Sequence, residues 1–212
     1  ASRLGTFLNG LTTTDSYDKA AEKLQSQFYI ALLPFSNFMV KAQAWLGKVA
    51  VQLPEALKVP GPAREHAFFL LENAEQSRYL MSEKEEVLAN MLTLSGGTAW
   101  GDLQGTVTSQ KTVAFELDGE VKALPMPALI NLRSHPDADV RERAYKLEQQ
   151  VWEEMKEPLA ACLNGVKGET LTLNRRRGWE GAVDKSIEQS RMTRATLDAL
   201  IGAMEESLPT WR

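Results

Sequence analysis

The sequence predicts a mainly α-helical fold, a multi-helix domain with one small β-hairpin at about residues 111–124. Three observations carry this. Apolar residues recur at i, i+3, i+4 and i+7 over long stretches, capping signatures stand before several of them, and in one place only the period falls to two.

Tyr17, Ala20, Ala21, Leu24, Phe28, Ala31 and Leu32 form one helical face behind the cap candidates Thr14 and Asp15. A second series, from Phe35 and Phe38 through Trp45 to Val49, follows Pro34, so a new helix begins at the proline or the first one kinks there. The aromatic residues on both stripes are expected in the core. Pro54, Pro60, Gly61 and Pro62 mark a break, and Pro62 suits the first turn of a helix running to about Tyr79. Its run Phe68-Phe69-Leu70-Leu71 is expected to be well buried. Ser82 and Glu85 form a capping box for a helix carrying Val87, Leu88 and Met91, which Ser95-Gly96-Gly97 ends.

Val113, Phe115 and Leu117, then Val121 and Ala123, alternate around Asp118-Gly119. A two-residue turn sets Phe115 opposite Lys122. A three-residue loop, Leu117-Asp118-Gly119, sets it opposite Val121 and is the expectation here, because it pairs apolar residues with apolar ones. Pro125-Met126-Pro127 opens a short helix to about Arg133. Ser134 with Asp137 is then expected to cap the longest helix, whose apolar face runs through Val140, Ala144, Leu147, Val151, Met155, Leu159, Cys162, Leu163 and Val166. Pro158 is expected to kink it. Asp137 with Arg141, and Asp139 with Arg143, are spaced for i, i+4 ion pairs. A last helix runs from Thr193 to Ser207 with Leu197, Leu200, Ile201 and Met204 on one face.

With 43% apolar and 25% charged residues and no run of eighteen apolar ones, the composition is that of a soluble globular protein without a membrane span. The net charge of -4 is scattered, with no basic stripe to neutralise phosphates, which argues against nucleic acid as a partner. Arg175-Arg176-Arg177 is the local exception, read as a solvated loop with anion binding as the sharper alternative. The single cysteine, Cys162, lies on a helix stripe, reads as a small buried apolar residue, and suits a reducing, cytoplasmic location. Without a basic leader and apolar segment, the start Ala1-Ser2-Arg3 is expected to be a trimmed end.

A catalytic zinc needs three protein ligands, and the only histidines, His66 and His135, lie outside any His-Glu-x-x-His pattern. His66 reads as a partly buried helix residue and His135 as a loop residue beside a cap. There is no Gly-x-Ser-x-Gly elbow and no phosphate-binding glycine loop. Glu85-Glu86, Glu153-Glu154 and Glu205-Glu206 are adjacent on helices and read as solvated faces. No catalytic, cofactor-binding or metal-binding residue is assigned.

Several patterns between Leu80 and Arg212 nevertheless occur in a set order. They are Leu80-x-Ser82-x-x-Glu85-Glu86-Val87-Leu88; Ala99-Trp100-x-x-Leu103; Pro136-Asp137-x-x-Val140-Arg141-x-x-Ala144-Tyr145; Trp152; Leu163-Asn164-Gly165-Val166; Arg177-Gly178; and Leu197-Asp198-Ala199-Leu200. In this order the stretch resembles the amino-terminal, non-catalytic region of the oligoendopeptidase F group of thimet oligopeptidase-like zinc metallopeptidases. The division it implies is a helical segment at 1–79 and the family-like domain at 80–212. The resemblance further implies a helical enzyme whose two halves enclose a channel for short peptides. Its zinc is held by His-Glu-x-x-His and a further Glu in a catalytic half that this chain lacks. The partners it implies are that half and peptide substrates, and it makes the chain a fragment inactive alone. The other reading is a stand-alone helical module that binds a peptide or protein without catalysis.

Overall fold

The computed structural model describes residues 2–211 and is mainly helical with a single two-stranded hairpin. The elements are α1 (Ser2–Thr14), α2 (Lys19–Lys48), the short turns α3 (Leu53–Ala56) and α4 (Pro62–Glu65), α5 (Ala67–Gln76), α6 (Glu83–Thr93) and α7 (Ala99–Gln110). Strands β1 (Thr112–Leu117) and β2 (Glu120–Pro125) follow, then α8 (Met126–Asn131), α9 (Ala138–Arg176), α10 (Ala182–Gln189) and α11 (Arg194–Ser207). The chain divides into two compact units, residues 1–37 with 88–169 and residues 38–87 with 170–212. Among the described residues no helix is long and apolar enough to cross a membrane.

The first unit is centred on α9. Its buried residues Val140, Ala144, Val151, Met155 and Cys162 follow the expected stripe, and the first four pack with Phe115, Met126 and Leu129 into one core. The helix continues through Pro158, which lacks the N–H of one ladder bond. Its start is held by Asp137, whose Oδ1 accepts from the Asp139 amide at 2.9 Å, and not by Ser134. The pair Asp139–Arg143 forms as expected, at 2.7 Å, whereas Arg141 donates to the carbonyls of His135 and Pro136 rather than to Asp137. A nearby pair of backbone acceptors has drawn the guanidinium away from the carboxylate one turn back.

The hairpin corrects the expected register. Leu117 pairs with Glu120 and Phe115 with Lys122 around a two-residue turn, with positive φ at both Asp118 (56°) and Gly119 (78°). That is the conformation that matches strand twist in two-residue hairpins and that Asp-Gly favours. Cross-strand apolar pairing loses to turn geometry because only one face is buried: Val113, Phe115 and Leu117 meet the α9 core, and Val121 faces outward.

Other helical starts also differ from expectation. α2 begins at Lys19 because Asp18, not Thr14 or Asp15, accepts from the Ala20 and Ala21 amides, and it runs through Pro34 as one helix. α1, α7 and α10 are further helices beyond those expected. Between α6 and α7 the chain turns at Gly96 (φ -96°, ψ -114°), within the glycine pair expected to end α6.

In the second unit, Leu46, Leu53, Leu57 and Ala74 form a small core. The capping box is present: Ser82 N–H donates to Glu85 Oε2 at 3.1 Å and Glu85 N–H to Ser82 Oγ at 3.4 Å. Pro62 starts a helix as expected, but His66 (φ -103°, ψ 19°) interrupts it. The apolar run behind that break is not well buried, with Phe68 62% and Phe69 49% exposed. Phe35, Phe38 and Trp45 on α2 are likewise exposed rather than core. Leu200, Ile201 and Met204 stand exposed on α11, whose start Thr193 caps by accepting from the Thr196 amide. The apolar stripes are where periodicity places them, but nothing in their own unit covers several of them.

Candidate functional site

Local chemistry decides what the sequence-selected residues do. Arg175 and Arg176 lie in the last turn of α9, not in a loop. Gly178 (φ 80°) closes that helix: its N–H donates to Arg175 O and the Trp179 N–H to Asn174 O, at 3.1 and 3.0 Å. Two of the three guanidiniums are already engaged. Arg176 donates to Glu85 at 2.9 Å, and Arg177 grips both oxygens of Glu86 at 3.0 and 2.7 Å. An anion site there is therefore set aside, since the carboxylates occupy it.

Glu86 is 2% exposed, which corrects the reading of Glu85-Glu86 as a solvated face. Burial pushes its carboxyl up, but the Arg177 guanidinium and the Met81 amide outweigh that and hold it below the ordinary range. Beside the pair, Tyr79 and Trp179 stack with ring centroids 3.4 Å apart. Lys185, whose ammonium is pushed down by burial and by Arg177, donates to Asn174 Oδ1 at 2.9 Å. A shallow cleft of about 170 Å³ lies here, smaller than ordinary ligand pockets of ~300–1,000 Å³. The arrangement is a latch that fixes the end of α9. In the first unit Glu148 plays the same part, buried and bound by Arg133 and by the Trp152 indole N–H.

In the first unit a cleft of about 580 Å³ lies among α1, α2 and α7. From α1 come Asn9, Thr12 and Thr13, and from α2 come Glu22, Gln25, Ser26 and Tyr29. α7 adds Asp102, Thr106 and Ser109 over a floor of Gly101 and Gly105. One end is tied shut, because the Tyr17 hydroxyl donates to Gln110 O at 3.2 Å and Gln110 Nε2 donates to Ser16 O. A Cβ at Gly101 or Gly105 would meet nothing within 4 Å, so the glycines leave room.

No Lys, Arg or His lines this cleft. Thr12 and Ser109 direct their hydroxyl protons to backbone carbonyls of their own helices, leaving lone pairs as acceptors. Asp102 lies on the wall within reach of solvent, and desolvation by that wall raises its carboxyl pKa. The Tyr29 hydroxyl is raised too, first by burial and then by the Asp102 charge. Glu22 is held by Lys19 at 2.9 Å, whereas Asp102 has no ion-pair partner among the described residues. The cleft is thus a polar surface carrying one unpaired carboxylate. No short motif announces it, because hydroxyls and carboxamides from three separated segments meet only on folding.

His66 is exposed, not partly buried, at the α4–α5 break. His135 stands beside the α9 cap as expected, its Nδ1 accepting from the Asp137 amide at 3.1 Å. Cys162 is buried, as its stripe position predicts. Among the described residues no group of three or more His, Cys, Asp or Glu is placed to hold a metal ion. The zinc implied by the resemblance has no fitting donor set among these residues. Comparison with protein-family models, with curated proteins and with solved structures gives no match to this chain.

Proposed function

We propose that this chain is the amino-terminal, non-catalytic part of an oligoendopeptidase F-like zinc metallopeptidase that hydrolyses short peptides, and that it forms a wall of the substrate channel. What supports this most is that residues carrying the resemblance meet in space. Glu86 and Arg177, 91 positions apart, form the buried pair. Gly165 lies so close to the Trp100 ring that a Cβ there would collide with it. A pattern whose members are mutual packing partners is one that a fold requires.

The uncovered apolar side chains give further support. Phe35, Phe38, Trp45, Phe68 and Phe69 stand exposed on helical faces. Apolar side chains left uncovered in this way suit a partner such as a catalytic half. The cleft supports a second reading, a stand-alone helical module that binds a peptide or protein.

The coding sequence beyond Arg212 separates them. A His-Glu-x-x-His within the next few hundred codons is expected, and a stop codon directly after Arg212 overturns the peptidase reading in favour of the module. The purified 212-residue protein is expected to cleave no peptide and to hold no stoichiometric zinc.

A further inference from the structure

We propose that the α1–α2–α7 cleft is a binding site for a short cationic peptide, with Asp102 receiving an ammonium group and the surrounding hydroxyls and carboxamides receiving its remaining donors. The peptide form of this ligand rests on the channel-wall reading above; the preference for a cation rests on the cleft alone.

Size comes first. At about 580 Å³ the cleft falls within the ~300–1,000 Å³ span of pockets that enclose small ligands, and polar groups from three helices converge on it. Charge comes second. Among the described residues no cation lines it, and of its two carboxylates Glu22 is met by Lys19 whereas Asp102 is unpaired, so an anionic ligand meets repulsion from Asp102.

Hydrogen-bond polarity comes third. Thr12 and Ser109 have given their protons to the backbone, and the carboxylates are acceptors only. These four groups suit a ligand that brings donors, and an ammonium brings three on one centre. Charge-assisted bonds to a partly desolvated carboxylate are about twice as strong as neutral ones. Asn9 and Gln25 offer both a donor and an acceptor, the complement of a peptide group. Gly101 and Gly105 keep the floor clear: an extended backbone can lie along α7 where larger side chains would project.

Calorimetric titration of the full chain with three probes tests this. They are N-acetyl-Ala-Lys-Ala-amide, neutral N-acetyl-Ala-Gln-Ala-amide, and spermidine. The cationic peptide is expected to bind at least about tenfold more tightly than the neutral one, the ratio of a single good charge-assisted contact. Asp102→Asn, nearly isosteric, is expected to bring the cationic peptide down to the neutral level. Gly105→Leu, which fills the floor and favours helix, is expected to abolish binding of both peptides with the circular dichroism spectrum unchanged.

Equal affinity for the two peptides, or undiminished cationic-peptide binding in Asp102→Asn, overturns the proposal. Binding of spermidine without the cationic peptide overturns its peptide form. Because the peptidase reading is judged on the coding sequence, the two can fail separately.

Discussion

Glu86 shows how much one residue carries when its partner is far along the chain. Its carboxylate is buried, and removing the partner leaves a charge without compensation, which in other buried pairs costs about 3–5 kcal/mol. Arg177→Ala is therefore expected to lower stability by about 3 kcal/mol at neutral pH in urea unfolding. The sign of the pH dependence follows from the direction of the shift. Glu86 and Glu148 have folded pKa values held below the ordinary carboxylate value, so their contribution is present above that value and is lost as pH falls through the folded one. Without Arg177, burial leaves Glu86 protonating at higher pH than in wild type, so the gap between wild type and Arg177→Ala should narrow as pH falls from neutral through the carboxylate range. A gap that stays constant from about pH 7 to about pH 3 would show that Glu86 is not the group involved.

At the scale of elements, the hairpin sets local turn chemistry against cross-strand apolar pairing, and the turn wins. Asp118 and Gly119 both take positive φ, which β-branched side chains strongly resist. Gly119→Val should cost at least about 1–2 kcal/mol through the left-handed strain alone, and Asp118→Asn should be nearly neutral, since Asn tolerates the same region. Thermal unfolding of the two variants measures both, and equal melting temperatures would contradict the turn assignment. The register matters beyond the hairpin, because it presents Phe115 to the α9 core. There the Arg143 guanidinium lies 5.1 Å from the Phe115 ring centroid and also donates to Glu116 O.

For the molecule as a whole, the feature with most consequence is apolar surface without a cover. Leu200 and Ile201 are 47% and 45% exposed on a helix whose sequence periodicity reads as core-facing. Substituting both with Ser should lower stability by about 1 kcal/mol each, the share of a half-buried apolar side chain. If they were core residues the same change would cost several times more. Guanidinium unfolding of the double variant decides, and the variant should also bind less of a fluorescent apolar dye in the native state.

The long stripe of α9, the capping box at Ser82, the helix start at Thr193, the break at Pro62 and the place of the hairpin were legible from residue order, because each depends on neighbours within one turn of helix or one strand pair. Only the assembled structure decided which stripes are covered, which turn length the hairpin takes, and that Glu86 and Glu148 are buried while Phe68 and Phe69 are not. The cleft belongs to that second group. Periodicity reports that a face is apolar, but burial is an exchange between faces brought together from distant positions. A hydroxyl-lined concavity leaves no periodic trace in any one of the three helices that build it.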